Sequence, residues 1–576
     1  MTTTTERKRL EDVQLDGSKV KVVAGMRQLG AQLNFTKSFA NPTGANRVAK
    51  GVEIAKRIRW APLPLHAKEQ LLASLVVPGA LYGSAVTSLQ QSLLNNLRTV
   101  VTTALWGDGK LRCREAVLTL LVRGHLVDPE QAAAFQSMLM LRRSLCKMPE
   151  SHGVFYSVWS SYSVGRDRVP GPIGIVCKVV SRLGWKWEEP LQFTRPGRPP
   201  LPICEGSEQW WCHEIRDGLR CAEWRIAAAR RPDFLGIGDA GIDRRATMAL
   251  LHNKKLARRD LPRLRRVLCG GTWSRARLHA AGLAESSMCQ FCQQSDETVE
   301  HLFWHCPAWE HIRLKEPGLP SRGTTDAWPA CTRNCGIFPE DDRIMQLQME
   351  LHNEEPELRS ILASQPHPPV VGATKQICWT DGASRNNQDN RLRRAGCGIF
   401  FGQEHPSNFS CKLPGREQSN NRAELLAVIL AMLNHGNDLE VRSDSQYVVD
   451  GFNVLQQNGA LPSKLDNKDL WDFAKFLLNS RNAPLRIVKV LGHAKAEDVR
   501  RGRTSQQDKD GNDEADKLAV AGAALHAVEE DVAISAAWRA ATAKATQSMM
   551  LKVLEARSQM EQHMSNLSVP SDADPG

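Results

Sequence analysis

Three observations predict a multidomain chain whose C-terminal part is an α/β domain, a sheet flanked by helices, preceded by a mostly helical region and a small Cys/His module. At 576 residues the chain exceeds what one core fills, given about 100–200 residues per domain. Between residues 372 and 526, short alternating apolar runs interleave with helical ones. Upstream, Cys289, Cys292, His301 and Cys306 lie close together in the chain.

Composition narrows the class. Hydrophobic residues at 42% and charged residues at 24% fit a water-soluble globular protein. No apolar run approaches the ~18 residues needed to span a bilayer; the nearest, Leu71–Val86, is broken by Pro78 and Gly79. The start, Met-Thr-Thr-Thr-Thr-Glu-Arg-Lys-Arg, reads as polar rather than as a secretory signal. An intracellular protein is therefore expected, with the nucleus compatible as its address. Fifteen cysteines then read as reduced thiols or metal ligands. The formal charge of +12 is uneven: Ile215–Ala280 holds 16 Arg or Lys against 6 Asp or Glu, leaving +10. Such a segment favours a polyanion such as nucleic acid, although a solvated helix face has the same composition.

In chain order, residues 1–20 are polar and 21–150 are helix-rich, with amphipathic stretches at Glu69–Val77 and Gln131–Leu141. Residues 151–285 are Pro- and Trp-rich, then basic. Within them Pro170–Pro202, with Arg195-Pro-Gly-Arg-Pro-Pro, reads as a boundary or ordered loop that cannot sustain a helix. Residues 286–312 hold the Cys/His module. Residues 313–371, Pro-rich apart from one helix at Asp341–Leu351, read as a linker before the α/β domain at 372–526. The tail, 527–576, reads as helical to about Met564 and disordered from Ser565.

Four acids punctuate the α/β domain. Gln376-Ile-Cys-Trp-Thr-Asp381-Gly predicts a buried strand ending on an Asp before a Gly turn. Gly396–Gly402 and Asn408–Leu413 predict two further strands of an antiparallel meander. A helix follows from Asn421, with Glu424 in its first turn, where the helix dipole alone favours an acid. Leu439-Glu-Val-Arg-Ser-Asp444 predicts a strand that ends on an Asp and runs into a helix, which that Asp could simply cap. Leu485–His493 predicts a strand followed by a long polar loop. Gly511-Asn-Asp-Glu-Ala-Asp516 predicts the opening of the last helix.

In this order Thr-Asp-Gly, Asn-Asn-Arg-Ala-Glu-Leu, Ser-Asp-Ser-Gln-Tyr-Val, Asn-Lys-Asp-Leu-Trp, Gly-His-Ala and Asn-Asp-Glu-Ala-Asp-Lys-Leu-Ala closely resemble type 1 ribonucleases H. The resemblance covers about 150 residues and implies a mixed five-stranded sheet with the acids clustered at its centre. It implies hydrolysis of the RNA strand of RNA–DNA hybrids with two Mg²⁺ (or Mn²⁺) held by Asp381, Glu424, Asp444 and Asp516. Hard oxygen ligands suit such ions, and a cation pair can activate water, stabilise phosphorus and neutralise the leaving oxygen. His493 matches the family's mobile-loop histidine, suited to proton transfer. Asn420, Asn421 and Gln446 match positions that read 2′-hydroxyls. The loop Ala494–Asp510 is longer and more basic than in compact relatives, and no Lys-rich protrusion stands between Leu470 and Asn479.

Cys289-Gln-Phe-Cys292, His301 and Cys306 have knuckle-like spacing suited to one tetrahedral Zn²⁺, whereas Cys331 and Cys335 read as free thiols. With Trp273, Arg275, Leu278 and Gly282, this segment resembles the zinc-binding segment after the polymerase in non-LTR, LINE-type reverse transcriptases. Arg27-Gln-Leu-Gly30 and Leu75–Gly83 are similar to parts of such enzymes near the polymerase and thumb. A polymerase needs an aromatic-x-Asp-Asp turn, and Asp341-Asp342 lies between Glu340 and Arg343 instead, so polymerase activity is not expected. The expected protein is thus the C-terminal portion of a retroelement polyprotein, with RNA–DNA hybrid, RNA and DNA as partners. Neither a membrane nor a small-molecule cofactor is expected, and protein partners are left open. The rival reading is a catalytically silent nucleic-acid-binding remnant.

Overall fold

The computed structural model describes residues 41–567 apart from 108, 110, 162–170, 207, 369–373 and 460–465; before residue 41 it describes only 9, 13–15, 17–19, 25–29 and 31–34. Most of the expected polar segment 1–20, Gly30, and residues 568–576 of the expected disordered tail lie outside the described residues.

Helices α1 (Pro42–Trp60), α2 (Gln91–Trp106) and α3 (Pro129–Lys147) open the chain. Asn41 and Asp128 cap α1 and α3 through their side chains. Asp128 also pairs with the buried Arg98, which meets Glu130 at 2.6 Å and lies against Glu223 as well. The Pro170–Pro202 stretch departs from its expectation as boundary or loop. Helix α4 (Gly171–Arg182) occupies its start, followed by a three-stranded antiparallel sheet, β1 (Lys186–Glu189), β2 (Gln192–Arg195) and β3 (Arg198–Pro202). Pro172 sits in the first turn of α4, where its missing N–H costs nothing. Trp185, Trp187 and Phe193 bury themselves against Trp211 of α5 (Glu208–Arg230), so the tryptophans build a core.

Residues 313–371 also differ from the expected linker. After α6 (Asp260–Leu268) and the Cys/His module, this stretch carries α7 (Ala330–Cys335), α8 (Asp342–Asn353) and α9 (Glu355–Leu362). Two of its prolines stand at helix starts, Pro329 at the N-cap of α7 and Pro356 in the first turn of α9, where they do not interrupt a helix. Cys331 and Cys335 are fully buried, sharing a core with Phe234, Leu264 and Leu268.

The C-terminal α/β domain is a five-stranded sheet of β4 (Gln376–Arg385), β5 (Arg394–Phe400), β6 (Phe409–Lys412), β7 (Leu439–Ser443) and β8 (Leu485–Lys489), in spatial order β6-β5-β4-β7-β8. The β4–β5 and β5–β6 pairs are antiparallel, and β4–β7 and β7–β8 are parallel. Helices cover both faces because glycines let them approach. Asp381 pairs with Gly398 and Gly382 with Cys397, so each pair points to one face. On the Cys397 face lies α10 (Asn420–Asn434), with Cys397 Sγ donating to Ala423 O at 3.2 Å. On the Gly398 face lies α12 (Gln506–Ala524), so close that a Cβ on Gly398 would stand 3.0 Å from Leu518 C. Between them come α11 (Gln446–Asn458) and a helix at Lys468–Ser480.

Helix α13 (Glu530–Leu567, 38 residues) leaves this domain and returns to the upstream body. Met549, Met550 and Val553 pack on Cys289, Cys306, Phe303 and Trp309, and Gln547 donates to Thr247 O and Gly336 O. A buried ionic junction adds to this. Arg391, in the turn after β4, meets Asp389, Asp243 and Glu340, while Arg245 reaches Asp389 and Arg539 of α13 reaches Asp243. Among the described residues no helix is long and apolar enough to cross a membrane.

Candidate metal centre and Cys/His cluster

The first site is assembled by strand register. β7 pairs with β4 so that Ser443 faces Thr380, which puts the next residues, Asp444 and Asp381, abreast on parallel strands. Strands lie about 4.8 Å apart. Asp381 is not at the strand's end as the Gly after it suggested: β4 runs on to Arg385, and Gly382 is there for α10 rather than for a turn. A Cβ on Gly382 would stand 2.9 Å from Ala423 C and closer still to Glu424 N. That close approach delivers Glu424, at the fifth position of α10 rather than in its first turn, against the two aspartates.

One carboxylate oxygen from each of Asp381, Glu424 and Asp444 lies within 4.8 Å of the others. Asp381 and Glu424 are buried, Asp444 half-buried. Burial, with Asp444 alongside, pushes the Asp381 carboxyl up to about 7. Burial and the charges of Asp381 and Asp444 carry Glu424 well above the carboxylate range. Glu424 Oε2 is buried with no hydrogen-bond partner, while Oε1 accepts from Asn420 Nδ2 at 3.3 Å. Three crowded acids with an orphaned oxygen fit hard divalent cations, whose charge would reverse the repulsion.

Asp516 falls outside this triplet but near enough to Asp381 to raise its carboxyl further. It sits on α12, one residue after Ala515, against which Gly398 packs. That helix begins at Gln506, capped by Ser505, so the loop expected from Ala494 to Asp510 is instead a short helix, Ala496–Arg500, a turn and the first turn of α12. Asp444 does not cap α11: Ser445 holds the cap position, without a side-chain bond. A Cβ on Gly492 would lie 3.1 Å from Asp444 Cγ, so the exposed His493, in a left-handed conformation at φ 48°, follows directly after a residue packed on the acid. Asn420, Asn421 and Gln446 are exposed; Asn420 Oδ1 accepts from Ser384 Oγ at 3.4 Å, and Gln446 Nε2 donates to Asp450 at 2.7 Å.

The second site is the Cys/His cluster. Sγ of Cys289, Cys292 and Cys306 and a ring nitrogen of His301 all lie within 4.8 Å of one another. Cys289 and Cys306 sulfurs are 3.8 Å apart, and Cys292 Sγ is 3.4 Å from His301 Nε2. Ser295 Oγ, 2.9 Å from His301 Nδ1, fixes the ring so that Nε2 faces the sulfurs. Burial keeps His301 below its ordinary range and pushes the Cys306 thiol up to about 12, Cys289 adding to the latter. The set fits zinc, which holds thiolates and a neutral imidazole.

Sequence reasoning missed the support beneath this cluster. Glu297, fully buried, accepts from Arg275 N at 2.9 Å and pairs with Arg557 of α13 at 2.9 Å. An acid between two cluster ligands was the available signal; its partner lies far away in sequence and gave none.

The sheet order, with helices on both faces and acids on its two central strands, defines the ribonuclease H-like α/β class. Residues 373–524 match the RNase H family, and residues 245–312 match the family described as zinc-binding in reverse transcriptase. The chain therefore contains an RNase H domain and a reverse-transcriptase-type zinc-binding region. Ribonuclease H of Schizosaccharomyces pombe is 39% identical over 135 residues, 22% of this chain and 49% of that protein. Ribonuclease H1 of Homo sapiens is 32% identical over 176 residues, 28% and 56% of the respective chains. Ribonuclease H1 of Mus musculus is 32% identical over 158 residues, 26% and 50%. The chain spans about half the length of the curated relatives it matches.

Proposed function

We propose that the domain at 373–524 hydrolyses the RNA strand of RNA–DNA hybrids, in the C-terminal portion of a retroelement protein whose zinc region docks nucleic acid. In a complete element it would remove RNA after first-strand synthesis. The observation that carries the reading is the convergence of Asp381, Glu424 and Asp444 within 4.8 Å inside a domain that matches RNase H.

Asp381, Glu424 and Asp444, with Asp516 beside them, would hold two Mg²⁺ or Mn²⁺ ions. When bound, such a pair supplies Lewis-acid charge on the phosphate and a more acidic water. The chain's own residues do the rest. Gly382 and Gly398 fix the strand-to-helix distances that hold the acids in place. Asn420 braces Glu424 from the exposed rim, where Asn420, Asn421 and Gln446 can bond the 2′-hydroxyls that distinguish RNA. His493, exposed and next in the chain to Gly492, which packs on Asp444, would carry a proton between the site and solvent. Cys289, Cys292, His301 and Cys306 would hold one Zn²⁺ as a structural ion.

The test is cleavage by the purified full chain of labelled hybrid, duplex RNA and duplex DNA with Mg²⁺. The expected result is cutting of the RNA strand in the hybrid alone, lowered at least about 100-fold in Asp444→Asn. Undiminished cleavage in that variant would overturn the metal assignment, and no cleavage by the wild-type chain would favour the silent remnant.

A further inference from the structure

Three remote stretches of chain meet at the C-terminal end of α6. Cys113 N donates to Cys269 O at 2.8 Å, which lays the turn Leu111–Arg114 along that end. A Cβ on Gly271 would stand 2.9 Å from Leu111 O and 3.0 Å from Arg266 Cγ. One on Gly270 would lie 3.5 Å from Arg231 Nη1. Arg112, Arg114, Arg230, Arg231, Arg265 and Arg266 are thereby gathered into one place.

Their charges are poorly answered. Glu115 stands 3.3 Å from Arg114 and 3.5 Å from Arg230. Among the described residues no carboxylate pairs with Arg112, Arg231, Arg265 or Arg266, and Arg112 donates only to a backbone carbonyl, Gly109 O. Arg231 Nη1, Arg114 Nε and Arg265 Nε are buried without a hydrogen-bond partner. The dipole of α6 accounts for Arg265 and Arg266 in its last turn, and that of α5 for Arg230 and Arg231 at its end, but neither accounts for Arg112 or for the orphaned Arg231 Nη1. Burial first, and then Arg114 and Arg231 close by, lower the Arg112 guanidinium from its ordinary range.

We propose that this arginine cluster binds the phosphodiester backbone of nucleic acid, at a site separate from the carboxylate centre. Guanidinium forks match phosphate oxygens bidentately, and several at one point would displace condensed counterions without reading sequence. The core beneath it, around Cys113, Trp224, Phe234 and Leu268, is distinct from the core under the five-stranded sheet. The inference rests on the proposed docking of nucleic acid by the zinc region and extends it to Arg112, Arg114, Arg230 and Arg231, outside that region.

The experiment is fluorescence anisotropy of the full chain with a labelled hybrid whose RNA strand is 2′-O-methylated, so that no hydrolysis intervenes, between about 50 and 200 mM salt. In Arg112→Gln/Arg231→Gln, affinity at low salt should fall roughly tenfold and the slope of log affinity against log salt by about 2. Arg112→Lys/Arg231→Lys should keep most of the slope. In the wild-type chain, amide exchange across 111–114 and 266–271 should slow when the duplex is added. Unchanged affinity and slope in the folded glutamine variant overturns the proposal. Should that variant not fold, absence of exchange protection in the wild type overturns it equally.

Discussion

Replacing Gly382 by alanine tests whether the acids are placed by helix-to-strand distance. The added methyl would stand 2.9 Å from both Ala423 C and Ala423 Cβ, and nearer to Glu424 N. Carbon contacts settle at about 3.5–4.0 Å, so α10 must retreat by roughly 0.5–1 Å, and it carries Glu424 with it. Because the obstacle is backbone on both sides, no rotamer change relieves it. Overpacking of this kind costs about 1–3 kcal/mol, set against a gain of about 0.4–1 kcal/mol from a stiffer unfolded chain. The net effect, from near zero to a loss of about 2.6 kcal/mol, lowers the melting temperature by at most roughly 10 °C for a domain of this size. Misplacement near 1 Å costs about 100-fold in rate, so activity should fall far more than stability. Single-turnover cleavage of labelled hybrid, measured roughly 15 °C or more below the variant's melting point (about 1.5 times the largest shift expected), reads this directly. Wild-type turnover in Gly382→Ala would refute the claim that this contact sets the position of Glu424.

Three further outcomes follow from the same geometry. Arg557→Met leaves Glu297 buried and unpaired, at a cost of about 3–5 kcal/mol; chelator competition should show faster zinc loss, and unchanged retention would remove α13 from the support of the cluster. Without divalent ions, the raised Asp381 carboxyl makes the folded form bind a proton that the unfolded form releases, so stability should fall as pH rises from about 4 to about 7 and then level off. The loss is on the order of 4 kcal/mol at most; denaturant titrations along pH check it, added Mg²⁺ should restore stability above pH 7, and a flat metal-free profile would contradict the crowding of these acids. His493→Ala should lower kcat by about 100-fold with little change in KM, and equal kcat values would deny the side chain a proton-transfer role.

Much of the nuclease domain was legible because alternation, helix periodicity and acids next to small residues all point one way. What misled was glycine. Gly382 reads as a turn and Gly511 as a helix start, yet both are close-approach positions: a Cβ on Gly511 would meet the Trp379 ring at 2.7 Å, well inside α12. The three acids of the triplet could be named because the motifs around them resemble those of a known family in order, although Asp381 lies inside its strand and Glu424 beyond the first turn of its helix; their mutual distances come from register, which no single strand encodes. The Cys/His cluster was readable from spacing because its ligands are local. Its support was not, since Arg557 lies far down the chain and sits in an Ala- and Met-rich helix that reads as a tail. Proline content hid α7 and α9 though not α8, expected at Asp341–Leu351; the deciding detail was position within a helix.

The return of α13 makes the nuclease a lobe inserted into another body rather than a bead at the end of a string. The knuckle cannot bury its apolar face until Met549, Met550 and Arg557 have been made, roughly 250 residues after its last ligand, Cys306. At about 5–20 residues per second of synthesis that is a wait of tens of seconds. A version ended just after Leu525 would keep every acid of the sheet yet leave Glu297 without its counter-charge. Such a product should cleave while its zinc module stays loose, a separation that whole-protein measurements cannot reveal.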